Sequence, residues 1–236
     1  MAGAQALRGA EGKSPFKAWR RARVKMLGLA ILKLLAKLYG RQSSVPDVAI
    51  IPNEHFPFIA ALEANWPAIK AELDVILQDR EKIPHLEKIS PDQARISHSQ
   101  KWRAYFLWGM GEELTGNTAQ CPRTAELLRQ VPGLRSAWFS ILGPRYKIKP
   151  HRGITKGVLR SHLGLIVPRE WRRCRMRVED TVVWWQPGKC FVFDDARMHQ
   201  VINDTDEERV ILLYDFDRPM RWPASMLNRW AMALLK

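Results

Sequence analysis

The chain has 236 residues, 46% of them hydrophobic, which is enough for a buried core and argues against a disordered chain. Three scattered cysteines are too few for a disulfide framework and include no CxxC zinc pair, so we expect reduced thiols in a cytosolic setting. The net charge is +14, and residues 1–41 hold ten Lys and Arg against one acid. Such a segment favours an anionic partner, either nucleic acid or a membrane surface.

The first predicted element is a basic amphipathic helix within "AWRRARVKMLGLAILKLLAKLYG". Apolar residues recur there at helical spacing, with lysines off their stripe: Leu27, Ile31, Leu34 and Leu38. The longest uncharged run, residues 26–32, is too short for a bilayer span of about 20 residues. We therefore expect residues 1–45 to form a helix and linker on the anionic inner face of the cytoplasmic membrane. Docking on the protein's own core is the alternative. Without a recognition module, nucleic acid is not expected as a partner.

Residues 46–236 are predicted to form one domain that begins with helices. "PFIAALEANWPAIKAELDVILQ" has helical spacing, with Pro67 at a helix start or kink. "KWRAYFLWG" alternates as a strand does, and "CPRTAELLRQVPG" indicates a short helix that stops at Pro132 and Gly133.

From Leu134 onward, short β-rich segments are separated by turn residues: "SAWFSILGP", "VLRSHLGLIVP", "CRMRVED", "TVVWWQPGKCFVFDD", "HQVIND" and "RVILLYDFDRP". Such spacing predicts a sandwich or barrel, the class that includes jelly rolls. The fold class is therefore mainly β with flanking helices.

Polar side chains inside these apolar strands indicate a site in the mouth of a barrel, because a buried His or Arg destabilises the fold unless it is paired. The candidates are Ser140, His151, Arg160, His162, His199 and Arg209. Imidazoles ligate transition metals, whereas a guanidinium grips carboxylates. The combination predicts a metal together with an acidic small molecule, which is what non-heme iron oxygenases that use 2-oxoglutarate require.

The spacing of the candidate residues along the chain supports the prediction of a metal and an acidic small molecule in part. His199 and Arg209 are ten residues apart, and we expect them on adjacent strands of a hairpin. The usual HxD or HxE iron motif is broken, because Gly153 occupies the carboxylate position after His151.

The segments "PHRG", "LRSHLGLIVP", "GKCFVFDDARMHQVIND", "RVILLYDFDRP" and "CPRTAELLRQVP" together resemble the aspartyl/asparaginyl β-hydroxylase family over residues 95–220. The resemblance implies a double-stranded β-helix of jelly-roll type and a hydroxylase that uses iron(II), 2-oxoglutarate and dioxygen. It also implies that two histidines hold the iron without a carboxylate, so Gly153 is expected rather than disabling.

Position by position, the resemblance implies these roles. His151 and His199 ligate the iron, and Asp195 orients a metal-bound water. The remaining residues bind the cosubstrate, with Arg160 and His162 at the carboxylate next to the metal and Arg209 and Ser140 at the distal carboxylate. Without the resemblance, Asp195 and Asp194 are ordinary turn residues after a strand.

The family includes enzymes that act on Asp and Asn side chains and bacterial enzymes that hydroxylate acyl chains of ornithine lipid or lipid A. The basic N-terminal segment and the apolar tail "DRPMRWPASMLNRWAMALLK" favour a membrane lipid as substrate, with packing of the tail as a helix on the barrel as the alternative for that segment. β-Hydroxylation of Asp or Asn in a peptide is the alternative. A non-catalytic membrane-associated binding protein on the same fold is the second alternative.

Overall fold

The structure, a computed structural model, describes residues 34–89 and 100–233. Within them, eleven strands form two antiparallel sheets. The large sheet has the order β1 (Ile50–Ile51), β9 (Cys190–Phe193), β6 (Val158–Ile166), β11 (Arg209–Asp217), β4 (Leu134–Leu142), β2 (Trp102–Gly109), β3 (Glu112–Glu113). The small sheet has the order β5 (Tyr146–His151), β10 (His199–Asn203), β7 (Cys174–Val178), β8 (Thr181–Trp184).

The chain passes repeatedly between the two sheets, which makes the fold a jelly roll. β4, β6, β9 and β11 lie in the large sheet, whereas β5, β7, β8 and β10 lie in the small one. Apolar residues of both sheets, among them Trp138, Met176, Val201 and Ile211, pack into one cluster between them. The predicted double-stranded β-helix with flanking helices is confirmed.

Helices cover the outer face of the large sheet, so its strands are buried on both sides. In β11, Leu212 and Tyr214 point to the helices, whereas Ile211 and Leu213 point into the barrel. This explains why β11 is nearly continuously apolar rather than alternating. The helices are α1 (residues 34–42), α2 (Phe58–Ala64), α3 (Trp66–Gln78), α4 (Leu86–Ile89), α5 (Thr115–Thr118), α6 (Pro122–Arg129) and α7 (Ala224–Ala233).

The expected hairpin between His199 and Arg209 is wrong. His199 begins β10, which pairs with β5 and β7 in the small sheet. Arg209 begins β11, which pairs with β4 and β6 in the large sheet. The short connection between these strands crosses from one sheet to the other, and both side chains face the barrel interior.

The end of the basic N-terminal segment packs on the domain. Residues 1–33, which hold most of the predicted amphipathic helix, lie outside the described residues. In α1, Tyr39 is buried and Leu34 is exposed. Ser44 donates a backbone hydrogen bond to the Pro219 carbonyl at 2.9 Å, and Val45 joins the core. Within residues 34–89 and 100–233, no helix is long and apolar enough to cross a bilayer.

Candidate active site

One cavity inside the barrel brings six of the seven predicted site residues together. Asp195, the seventh, contacts two of the six, His199 and Arg160. The lining includes Ser140, His151, Arg160, His162, His199 and Arg209. Apolar side chains such as Trp102, Ile148, Met176 and Phe193 form the rest of the wall.

The two-residue period of a strand explains most of this convergence. Arg160 and His162 lie two apart on β6 and face the same side. The two-residue period alone does not explain the direction of His151, because the register between β5 and β10 shifts between His199 and Val201. A bulge of this kind rotates the side chains that follow it, and here it leaves His151 directly opposite His199.

The two facing imidazoles are oriented by backbone carbonyls. The His151 and His199 ring centroids are 4.2 Å apart. His151 Nδ1 lies 2.8 Å from the Lys149 carbonyl, and His199 Nδ1 lies 2.9 Å from the Arg197 carbonyl. A carbonyl only accepts, so Nδ1 carries the proton in both rings and each Nε2 presents a lone pair. This is how metal-binding histidines are usually held.

Both imidazoles are neutral near pH 7. Burial lowers the pKa of His151 to about 4, assisted by the neighbouring His199, and burial also lowers the pKa of His199 to about 4, with Arg160 contributing. Among the described residues, no three His, Cys, Asp or Glu side chains are grouped to hold a metal ion. His151 and His199 offer two neutral Nε2 donors, which suit a divalent transition metal.

Asp195 occupies the space that the missing HxD carboxylate would need. A Cβ on Gly153 would overlap Asp195 Oδ2, and the Gly153 N–H donates to the Asp195 carbonyl at 2.7 Å. Asp195 Oδ1 lies 3.4 Å from His199 Nε2 and 2.9 Å from Arg160 Nη1. Burial raises the pKa of Asp195 although Arg160 opposes the rise. Its neighbour Asp194 accepts a turn hydrogen bond from Ala196 N–H, as the turn interpretation predicts.

Arg160 is fully paired by the protein's own carboxylates. Its Nε and Nη2 donate to Asp215 at 2.6 and 3.0 Å, while Nη1 meets Asp195. Ser136 also donates to Asp215 at 2.6 Å. Burial would lower the pKa of Arg160, but Asp195 and Asp215 outweigh it and raise the pKa. A cosubstrate carboxylate would have to share this guanidinium, and the role of Arg160 stays a prediction.

Arg209 is a buried guanidinium without a carboxylate partner among the described residues. It is 1% exposed, and its Nε and Nη1 have no hydrogen-bond acceptor there. The guanidinium stacks on the Trp185 ring at 4.6 Å. Burial lowers its pKa to about 10. Ser140 also lines the cavity, and its Oγ accepts a hydrogen bond from the Trp102 indole at 3.0 Å. An unpaired buried cation of this kind is a ready site for a carboxylate.

His162 offers a hydrogen-bond donor to the same cavity. The Trp185 indole, which can only donate, points at His162 Nδ1 at 3.3 Å. Nδ1 is therefore the acceptor and Nε2 carries the proton. Nε2 is buried and has no partner among the described residues. Burial lowers the pKa of His162 well below its usual value, and Arg209 and Arg160 reinforce this effect, so the ring is neutral.

Sequence reasoning missed Asp215 and Trp185. Asp215 lies three strand periods after Arg209, so the alternation of β11 places both on the inner face. An acid on the inner face of an apolar strand was therefore a usable signal. Trp185 follows β8 in "WWQP", where no pattern distinguishes it from the neighbouring, exposed Trp184.

The fold and the cavity define a jelly-roll protein with a polar binding site inside its barrel. Its sequence matches the aspartyl/asparaginyl beta-hydroxylase family over residues 63–219. The chain belongs to this family of oxidoreductases and is an enzyme.

Two relatives illustrate the range of the family. The chain is 42% identical over 204 residues to the ornithine lipid ester-linked acyl 2-hydroxylase of Rhizobium tropici, covering 86% of this chain and 72% of that protein. It is 31% identical over 170 residues to human aspartyl/asparaginyl beta-hydroxylase, covering 70% of this chain and 22% of the human protein. A solved cupin domain of an XRE family transcriptional regulator from Enterobacter cloacae is 12% identical with a TM-score of 0.35, over 49% of this chain and 96% of that chain.

Proposed function

We propose that this protein is an iron(II)- and 2-oxoglutarate-dependent oxygenase that hydroxylates an unactivated C–H bond in the acyl chain of a membrane lipid. One observation carries the proposal: two neutral imidazoles that present their Nε2 lone pairs share a cavity with the guanidinium of Arg209, which has no carboxylate partner among the described residues. This pairs a metal-ligand set with a carboxylate receptor in one site.

The proposed roles of the cavity residues are as follows. His151 and His199 would hold iron(II), and Asp195 would orient a water beside it. Bound iron supplies dioxygen activation, in which 2-oxoglutarate is oxidised to succinate and carbon dioxide and one oxygen atom enters the substrate C–H bond. The cosubstrate's carboxylates would be held by Arg209 with Ser140 and by His162 with Arg160.

The charges of the cavity suit this pair of ligands. Arg160 and Arg209 carry two positive charges, Asp195 and Asp215 carry two negative charges when ionised, and the histidines are neutral. A divalent cation together with a dicarboxylate dianion leaves this balance unchanged. Burial of either ligand alone would leave an uncompensated charge, which is unfavourable in a low-dielectric interior. We therefore expect the metal and 2-oxoglutarate to bind cooperatively.

A membrane lipid of the ornithine lipid or lipid A type is the favoured substrate. Its support is the 42% identity to an ornithine lipid ester-linked acyl 2-hydroxylase over 86% of the chain. The ten basic residues within residues 1–41 agree with work at the anionic inner face of the cytoplasmic membrane. The relative's name refers to the acyl 2-position, and we propose the same carbon here.

Hydroxylation of Asp or Asn side chains in a peptide is the second candidate. The 31% identity to human aspartyl/asparaginyl beta-hydroxylase favours it. A non-catalytic membrane-associated binder is disfavoured, because buried unpaired polar groups destabilise a scaffold that does not use them.

The test is succinate release from 2-oxoglutarate by the iron-loaded protein, with lipid extracts and Asp- or Asn-containing peptides as alternative substrates. Lipid should stimulate release, and mass spectrometry should show one added oxygen on an acyl chain. His199→Ala should be inactive, whereas Asn117→Ala, remote from the cavity, should remain active. Stimulation by peptide alone would select the second candidate, and equal inertness of wild type and His199→Ala would support the binder.

A further inference from the structure

Helix α7 is inverted with respect to an ordinary surface helix, because its apolar side faces solvent. The helix is fastened to the domain by Ala224 and Asn228, both buried. Its outer side carries Met226, Leu227 and Trp230, and Trp222 lies just before it. The two tryptophans are 71–75% exposed. A surface helix normally buries its apolar stripe and exposes its polar one. We call the four exposed side chains the tryptophan face.

The tryptophan face is attached to the loop that follows the proposed iron ligand. Asn228 Nδ2 donates to the Gly157 carbonyl at 2.9 Å and to Asp217 Oδ1 at 3.2 Å. The approach is close, because a Cβ on Gly157 would overlap Asn228 Oδ1. Residues 152–157 run from His151 to β6, and Ile154 in this loop is 75% exposed. The helix that carries the tryptophan face is therefore joined to the loop that begins after His151, a residue that lines the cavity.

Cations around the tryptophan face are not neutralised by the protein. Arg152, Arg221 and Arg229 are exposed, and none forms a salt bridge with any residue of the described ranges. The nearby acids are already paired. Asp217 binds Arg135, and Asp47 binds Lys156 and Arg197. The surface thus combines exposed aromatic groups with unbalanced positive charge.

We propose that the tryptophan face is a docking surface for an anionic lipid bilayer, which holds the cavity mouth against the membrane. Tryptophan is enriched at the bilayer interface, and arginines beside it add electrostatic attraction to anionic lipids. The positive charge of this surface favours an anionic bilayer over two other possible occupants, a second copy of the protein and residues 1–33. A second copy would bring the same cations, and residues 1–33 hold eight Lys and Arg against one acid. The inference deepens the proposed function, since it names where the lipid substrate is met.

The test is binding of the full-length protein to vesicles of phosphatidylcholine with or without phosphatidylglycerol, followed by cosedimentation and by quenching of tryptophan fluorescence with brominated lipid. Binding should require phosphatidylglycerol and weaken with salt. The double variant Trp222→Ser/Trp230→Ser should bind at least about tenfold more weakly, because each indole removes a large apolar area from water. Arg221→Ser/Arg229→Ser should weaken binding to the anionic vesicles and lessen its salt dependence.

The matched control is Trp171→Ser/Trp184→Ser, which removes two partly exposed tryptophans from a different part of the surface. It should bind vesicles as the wild type does. Equal binding by the two double variants would overturn the proposal. So would a change from dimer to monomer in Trp222→Ser/Trp230→Ser without loss of vesicle binding, because the face would then join two copies. Succinate release on detergent-dispersed lipid should survive in Trp222→Ser/Trp230→Ser. Its absence from the wild type would count against the oxygenase and not against docking.

Discussion

Replacement of Arg209 by methionine should make the metal-free protein more stable. Arg209 is 1% exposed and lacks a carboxylate among the described residues, yet it is charged in both the folded and the unfolded chain at pH 7. Burial lowers its pKa from 12.5 to about 10. Because the folded pKa is the lower one, the unfolded chain holds this proton more tightly, and the penalty is fully present at neutral pH.

The size of the penalty follows from the same values. A pKa lowered from 12.5 to about 10 corresponds to about 3 kcal/mol of unfavourable free energy in the folded state. Stacking on Trp185 offsets about 1–2 kcal/mol of it. Methionine has a similar length and needs no partner. We therefore expect Arg209→Met to raise the free energy of unfolding by about 1–2 kcal/mol.

Urea denaturation of the metal-free proteins measures this change, with the slope against urea checked for constancy. Arg135→Met is the matched control, because Arg135 is half-buried and pairs with both oxygens of Asp217. That control should lose up to about 1 kcal/mol. The second arm is the rise in melting temperature on adding 2-oxoglutarate with metal, which wild type should show and Arg209→Met should lack. A less stable Arg209→Met would mean that the guanidinium has a stabilising partner, and the reasoning would fail.

Three further predictions concern the same cavity. Since the pKa of His162 lies well below 6.5 in the folded protein, only the unfolded chain gains its proton as pH falls below about 6.5. Replacement His162→Leu should therefore reduce the pH dependence of unfolding free energy there by about 1.4 kcal/mol per pH unit. Asp215→Asn removes the bidentate partner of Arg160, so it should cost about 3 kcal/mol of stability and raise the KM for 2-oxoglutarate. Gly153→Ala should lose about 1–3 kcal/mol and most succinate release, because its Cβ collides with Asp195.

Matched controls exist for two of these variants. Asp217→Asn, on the same strand as Asp215, breaks a more exposed pair and should cost no more than about 1 kcal/mol, with an unchanged KM. Gly116→Ala adds a Cβ into open space and should be close to neutral. An unchanged pH dependence in His162→Leu would show that this ring takes up its proton in the folded state.

Periodicity alone could predict which strand residues face the barrel, but not which strands pair. Arg160 and His162 follow the two-residue period of β6, and their common direction was foreseeable. His151 points inward because of a shift in register that depends on its partner strand, which the local sequence does not specify. The crossing between His199 and Arg209 has the same origin. Nearby strands in the chain usually form hairpins, and here the core between two sheets overrides that preference.

Chemical detail was harder to predict than position. A buried arginine suggests a ligand, yet Arg160 is paired with Asp215 and Asp195, whereas Nε and Nη1 of Arg209 have no acceptor among the described residues. The distinction depends on three-dimensional pairing between strands distant in sequence. The replacement of the HxD acid by Asp195, which comes from another loop, is likewise visible only in space.

Trp185 lies between the cavity inside the barrel and a groove on its outer surface. Its ring stacks on Arg209 and donates to His162 on the inner side, while it also lines an outer groove with Val167, Pro168 and Pro187. We expect that trimming this indole to alanine would connect the cavity with the outer groove. Water entering from the groove would then hydrate the Arg209 guanidinium and weaken its preference for a dicarboxylate.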